Sequence, residues 1–182
     1  CINGKDLNSR PDQSASRWAI SFRGWPLERK DLDGTWAVAS ERQRKRWLQT
    51  GFVPLDYPEP VAADYPDGLE IVRQKVKPGR LDNKYSKSAR DKWWLYERWR
   101  PELYSAIEGM DNVICIAATS KTIAFVICQA NQVFTHATYV LALDSHEDFA
   151  VLQSTVYHVF ALQHAGSLKG DFRFSPQNFF LF

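Results

Sequence analysis

Lys169, Asp171 and Arg173 stand two residues apart in Ser167-Leu168-Lys169-Gly170-Asp171-Phe172-Arg173-Phe174-Ser175. Extended backbone sends alternate side chains to opposite faces. The stretch therefore predicts the three charges on one face and Leu168, Gly170, Phe172 and Phe174 on the other. Two chemistries fit such a row. One is a solvated strand face whose internal Asp/Arg pair contributes little. The other reads nucleobase edges: a lysine donates to guanine O6 and N7, and a carboxylate accepts from the cytosine N4 amino group. Lys169 and Asp171 would then address both members of one G·C pair. Arg173 would either favour guanine in the same way or hold Asp171 in place.

Enzymatic signatures are sparse. The chain has no Gly-rich phosphate loop, dinucleotide fingerprint, GxSxG elbow or HExxH pair. The amino-methyltransferase signature, Asp or Asn followed by Pro-Pro and an aromatic, is also missing, so no catalytic residue is assigned. One outline suits a divalent-metal nuclease. Asp67 and Asp82 would hold magnesium while Lys84 steadies the attacking water, although Asp82-Asn83-Lys84 falls in a predicted loop. Among the histidines, His146 and His158 are too far apart on one predicted helix to share a metal, whereas His136 sits at a loop mouth beside predicted strands. It would present its ring to a base edge or stabilise the turn. Cys115 and Cys128 lie in apolar runs and act as small hydrophobes, and no Cys or His spacing suggests zinc.

The elements that must position these residues follow from pattern and punctuation. Residues 1–32 are turn-rich, with a short strand predicted at 17–22. A basic helix is predicted over 37–50, closed by Gly51, with Arg42, Arg44, Lys45 and Arg46 too clustered to face a core. Three prolines make 53–60 an irregular connector. Another helix opens at Pro66, carries Leu69, Val72 and Val76, and should stop at Pro78-Gly79. Helices are predicted again over 86–100 and 101–108. The register then changes: 112–118 and 122–128 read as a hairpin joined by Thr119-Ser120-Lys121, and 138–143 as a third strand. Ser145 and Asp148 cap a long helix with a buried stripe of Phe149, Leu152, Val156, Val159 and Phe160, ended by Gly166.

The predicted class is α+β, a single domain in which a helical, basic N-terminal half (1–110) packs on a small C-terminal sheet covered by one long helix (111–182). The 182 residues include 14% aromatics and carry a net charge of +2, unevenly spread. Residues 1–100 hold 20 Lys+Arg against 14 Asp+Glu, and 101–182 hold 3 against 7. A basic surface of this kind, with Lys84, Lys87 and Arg90 in one run and Arg42 and Lys45 in another, suits phosphate tracking or is a solvated helical face. No run of about 18 apolar residues and no signal peptide is present, which predicts a soluble, cytoplasmic protein with no membrane partner. A start on Cys1 and an end on Phe179-Phe180-Leu181-Phe182 predict a piece of a longer polypeptide.

A family likeness emerges from the ordered succession of several segments. They are Asn3-Gly4-Lys5-Asp6-Leu7-Asn8 with Pro11 and Arg17-Trp18, then Val53-Pro54-Leu55-Asp56-Tyr57-Pro58, and Trp93-Trp94 with Arg100-Pro101-Glu102-Leu103-Tyr104. Thr119-Ser120-Lys121, Phe149-Ala150-Val151-Leu152-Gln153-Ser154 and Gly166 through Ser175 complete it. Together they resemble the target-recognition domain of MmeI-like restriction and modification enzymes, single-chain DNA adenine methyltransferases often fused to a nuclease. The likeness spans nearly the whole chain, and the final motif is its most specific part. In that family the last segment usually runs on into an aromatic-Pro sequence.

The resemblance implies that the chain is a DNA specificity module reading the major groove of double-stranded DNA. A methyltransferase domain of the same parent polypeptide would bind S-adenosylmethionine and flip the adenine. No cofactor is expected in the present chain. Carried over by position, the base-reading residues are Lys169 and Asp171, with Arg173 in the same row and Lys121 and His136 from loops. Lys84, Lys87, Arg90, Arg42 and Lys45 would contact phosphates. The alternatives are the metal-dependent nuclease and a protein-interaction domain of a phage-defence system.

Overall fold

Local signals set most of the element ends. In the computed structural model, which describes residues 1–97, 99–168 and 170–175, the chain begins with α1 (Gly4–Ser9), β1 (Glu28–Lys30), α2 (Glu41–Thr50) and β2 (Phe52–Pro54). After a 3-10 turn at Ala62–Asp64 come α3 (Pro66–Lys75), α4 (Lys77–Leu81), α5 (Lys87–Asp91) and α6 (Pro101–Ala106). The remainder is β3 (Asn112–Ala117), β4 (Thr119–Ser120), β5 (Val126–Gln129), β6 (Thr138–Leu141), α7 (His146–Leu152), α8 (Thr155–His164), β7 (Gly166–Leu168) and β8 (Asp171–Arg173). The fold is α+β. It divides into two compact units, one made of Cys1–Ala19 with Glu102–Phe182, the other of Ile20–Pro101.

The first unit is built around β3. β5 and β6 flank it antiparallel, with Val113 opposite Cys128 and Ile116 opposite Tyr139. Val113, Cys115 and Ala117 face a cluster containing Ile2, Leu7, Ile107 and Phe134. Ile114 and Ile116 face Phe125, Leu152, Tyr157, Ala161 and Phe174 on the other side. Burial on both faces explains why the strand reads as an unbroken apolar run. A second, smaller sheet has the order β4-β8-β7, with Arg173 opposite both Thr119 and Gly166.

Several expectations change here. The stretch 167–175 is not one extended ribbon but the β7–β8 hairpin, turning where Gly170 has φ +89°, a conformation glycine adopts at no steric cost. Thr119-Ser120-Lys121 does not simply close a hairpin: Thr119 and Ser120 leave β3 to pair with β8. The single long helix is two helices. Ser154 ends the first by capping the second, its hydroxyl accepting from Tyr157 N–H at 3.2 Å. Residues 17–22 form no strand: Trp18 is fully exposed while Phe22 is buried.

In the second unit, Ser40 caps α2 and Gly51 ends it with φ +81°. A Cβ on Gly51 would lie 2.6 Å from Trp94 Cζ2, so close approach and backbone conformation both require glycine there. β1 and β2 pair in parallel on either side of α2 in sequence, the crossover that parallel strands need. Pro78-Gly79 does not end a helix but lies inside α4, where Pro78 is early enough that its missing N–H would have been unpaired anyway. The helix predicted over 86–100 is only α5, because Trp93 and Trp94 turn into the core. Trp94 Nε1 donates to Trp25 O at 3.0 Å, and the Trp93 and Trp94 indoles meet edge to face.

Candidate nucleic-acid interface

The carboxyl-terminal end of β3 gathers four separate segments of the first unit. Ala118, immediately after the strand, donates to Ala137 O at 2.9 Å and accepts from Phe174 N–H at 3.0 Å. These bonds hold the His136-Ala137 turn and the end of β8 on either side of the start of β4. Asn8 of α1 adds a fourth segment, its side-chain amide donating to Thr119 O at 3.0 Å. α1 can approach because Gly4 lacks a side chain: a Cβ there would sit 2.8 Å from Ala137 O.

Three predicted base-reading loops therefore converge. Phe172 and Phe174 turn toward the Ile114–Tyr157 cluster, so Asp171 and Arg173, on the opposite face of β8, point away from it. Arg173 lies opposite Thr119 in the register, and Lys121, one residue past β4, falls at the level of Asp171. Lys121, His136 and Arg173 are exposed and Asp171 is half-buried. The internal pair considered from spacing does not form. Among the described residues, neither Asp171 nor Arg173 enters an ion pair, so Arg173 is not the residue that holds Asp171 in place. Lys169 lies outside the described residues.

The predicted phosphate contacts belong to the second unit. Arg42, Lys45 and Arg46 project from exposed positions of α2 over an open groove of about 1250 Å³ that Lys30, Gln49 and Phe52 also line. Lys45 is only loosely tied to Glu41, at 3.8 Å between two well-exposed side chains. Arg44 departs from the expectation that all four basic residues face outward. Its guanidinium donates to Trp36 O and Ala37 O, each at 3.0 Å, and lies 5.2 Å over the Trp36 ring, which makes it a clamp on the preceding loop.

Lys84 and Lys87 are exposed. Arg90 is half-buried and donates to Asn83 O, while the Asn83 side chain accepts from Tyr85 N–H at 2.9 Å and Ser86 N–H at 3.1 Å. Arg90 thus closes this loop and is the weakest member of the phosphate set. The sequence reading missed Lys30, whose ammonium lies 3.7 Å over the Phe52 ring, and Asn8. Neither has a local signature, because each reaches its place through a pairing distant in sequence.

Asp67 lies in the first turn of α3, whereas Asp82 follows α4 in a loop. Among the described residues no three His, Cys, Asp or Glu side chains cluster to hold a metal. None of the described helices is long and apolar enough to cross a membrane. No protein-family model, no curated protein and no solved structure matches this chain.

Proposed function

We propose that this chain is the sequence-reading module of a restriction-modification type DNA adenine methyltransferase, acting in the cytoplasm on double-stranded DNA. The observation that supports this most is the meeting of Lys121, His136, Asp171 and Arg173 at the end of β3, outward-facing and, among the described residues, outside any ion pair. Side chains left unpaired at the surface retain donors and acceptors for base edges. Arg173 suits guanine O6 and N7, Asp171 suits cytosine N4, and Lys121 suits guanine. The unit Ile20–Pro101 carries 17 Lys+Arg against 12 Asp+Glu, a balance suited to phosphate contacts that give affinity without choice. S-adenosylmethionine and the flipped adenine belong to a methyltransferase domain of the parent chain.

Selection of bound duplexes from a random pool tests this reading. The wild-type chain should enrich a word containing at least one G·C pair. Arg173→Ala and Asp171→Ala should each relax one position by about 1–3 kcal/mol, whereas Lys45→Ala should weaken all duplexes alike. No enriched word, with binding insensitive to salt, would overturn it.

A further inference from the structure

β5 lies at the edge of the β5-β3-β6 sheet, and the direction of its backbone groups can be read from the register. Ala130 N–H donates to Asp111 O at 2.9 Å, in the same register that pairs Val113 with Cys128 and Cys115 with Val126. Those are therefore the bonded pairs of the ladder. Antiparallel bonding alternates, so Ile127 and Gln129, like Phe125 before them, turn N–H and C=O away from β3.

The structure meets these outward groups unequally. At Phe125 the Gln153 side-chain amide accepts from the N–H at 3.3 Å and donates to the C=O at 3.4 Å, as a neighbouring strand would. At Ile127 and Gln129 no described residue does so. β5 also lacks the charges and prolines that usually blunt a sheet edge, since its sequence is Val126-Ile127-Cys128-Gln129.

Beside it runs an open trench of about 670 Å³, lined by β5 along one side and by Ser14, Ala15, Arg17 and Trp18 along the other. Trp18 is 103% exposed. Asp12 is already paired with Arg10 at 3.4 Å, whereas the exposed Arg17 side chain enters no ion pair among the described residues. Among the described residues, the trench thus offers strand groups without partners, an indole face and the Arg17 guanidinium outside any ion pair.

We propose that β5 is a docking edge for an extended segment of another polypeptide, which adds as a strand along Ile127 and Gln129 and carries an acidic side chain for Arg17 and an apolar one for Trp18. Main-chain bonds supply affinity in this mode and alternate side chains supply selectivity. The inference is independent of DNA reading and would stand or fall without it.

The probe is the blocked peptide Ac-Thr-Val-Glu-Val-Thr-Val-Gln-NH2, titrated into the isotope-labelled chain. Saturable shifts of the Ile127 and Gln129 amides, with their hydrogen exchange slowed at least about tenfold, are expected. Methylating alternate peptide nitrogens should abolish binding while leaving the protein untouched. Arg17→Glu should reverse the preference between this peptide and one with Lys in place of Glu. Equal binding of the methylated peptide, shifts elsewhere, or no binding up to about 1 mM would overturn the proposal. So would concentration-dependent self-association that slows the same two amides without peptide, because the edge would then be closed by a second copy.

Discussion

The Asp64 carboxylate accepts from Val61 N–H at 3.0 Å and from the Arg29 guanidinium at 2.7 Å, and these two partners, in that order, hold its pKa below the ordinary 3.8. A lowered carboxylate pKa stabilises the fold fully above the unfolded-state value and loses that contribution as pH falls through the folded value. Asp64→Asn should therefore lower stability by about 0.5–1 kcal/mol at pH 7, the small end being set by solvent screening. The gap between variant and wild type should close on acidification below about pH 4, measured by urea unfolding at several pH values. Tyr157 shows the opposite perturbation. It is fully buried, packs edge to face on Phe125 at 5.2 Å, and burial pushes its phenol up to about 12. Tyr157→Ala should cost roughly 3–5 kcal/mol, the range of large-to-small core truncations, and in the wild type this phenol should remain neutral through pH 10 until the chain unfolds.

Elements specified by neighbouring residues were legible in the sequence, and elements specified by distant partners were not. Gly51, Pro66 and the Ser145–Asp148 cap each act within one helical turn, and each terminus stands where the sequence puts it: Ser145 Oγ accepts from Asp148 N–H at 3.0 Å. The break between α7 and α8 was hidden because apolar periodicity runs through Gln153-Ser154, although the side chain of Ser154 carries the capping chemistry. The β7–β8 turn was hidden for a related reason. A single glycine within an alternating pattern is compatible with a strand, and only pairing with β4, about fifty residues earlier, decides that the chain reverses.

The candidate site was legible in residue type at Asp171, Arg173 and Lys121, but the bonds through Ala118 that gather them had no sequence signal. Two substitutions separate local from tertiary control. Gly51→Ala combines left-handed strain of about 1–2 kcal/mol with displacement of Trp94, so it should destabilise by more than about 2 kcal/mol in denaturant melts followed by tryptophan fluorescence. Ser154→Ala should cost about 1 kcal/mol, the usual loss of a helix cap.

For the molecule as a whole, the uneven distribution of charge makes salt the informative variable. If Arg42, Lys45, Lys84 and Lys87 all meet phosphates, log K for duplex binding should fall against log salt with a slope of about −4, and each alanine replacement should reduce that slope by about one. Arg90→Ala should instead lower stability through its loop with less change in slope. The sequence order of the units has a consequence for synthesis. Ile2, 1% exposed, bridges to Phe134 by accepting from Thr135 N–H at 3.1 Å and donating to Val133 O at 2.9 Å, so the opening segment cannot be seated until the ribosome has passed the whole inserted Ile20–Pro101 unit. At about 5–20 residues per second Ile2 must wait on the order of ten seconds, its backbone groups unmet, for the Val133–Thr135 segment that will hold it.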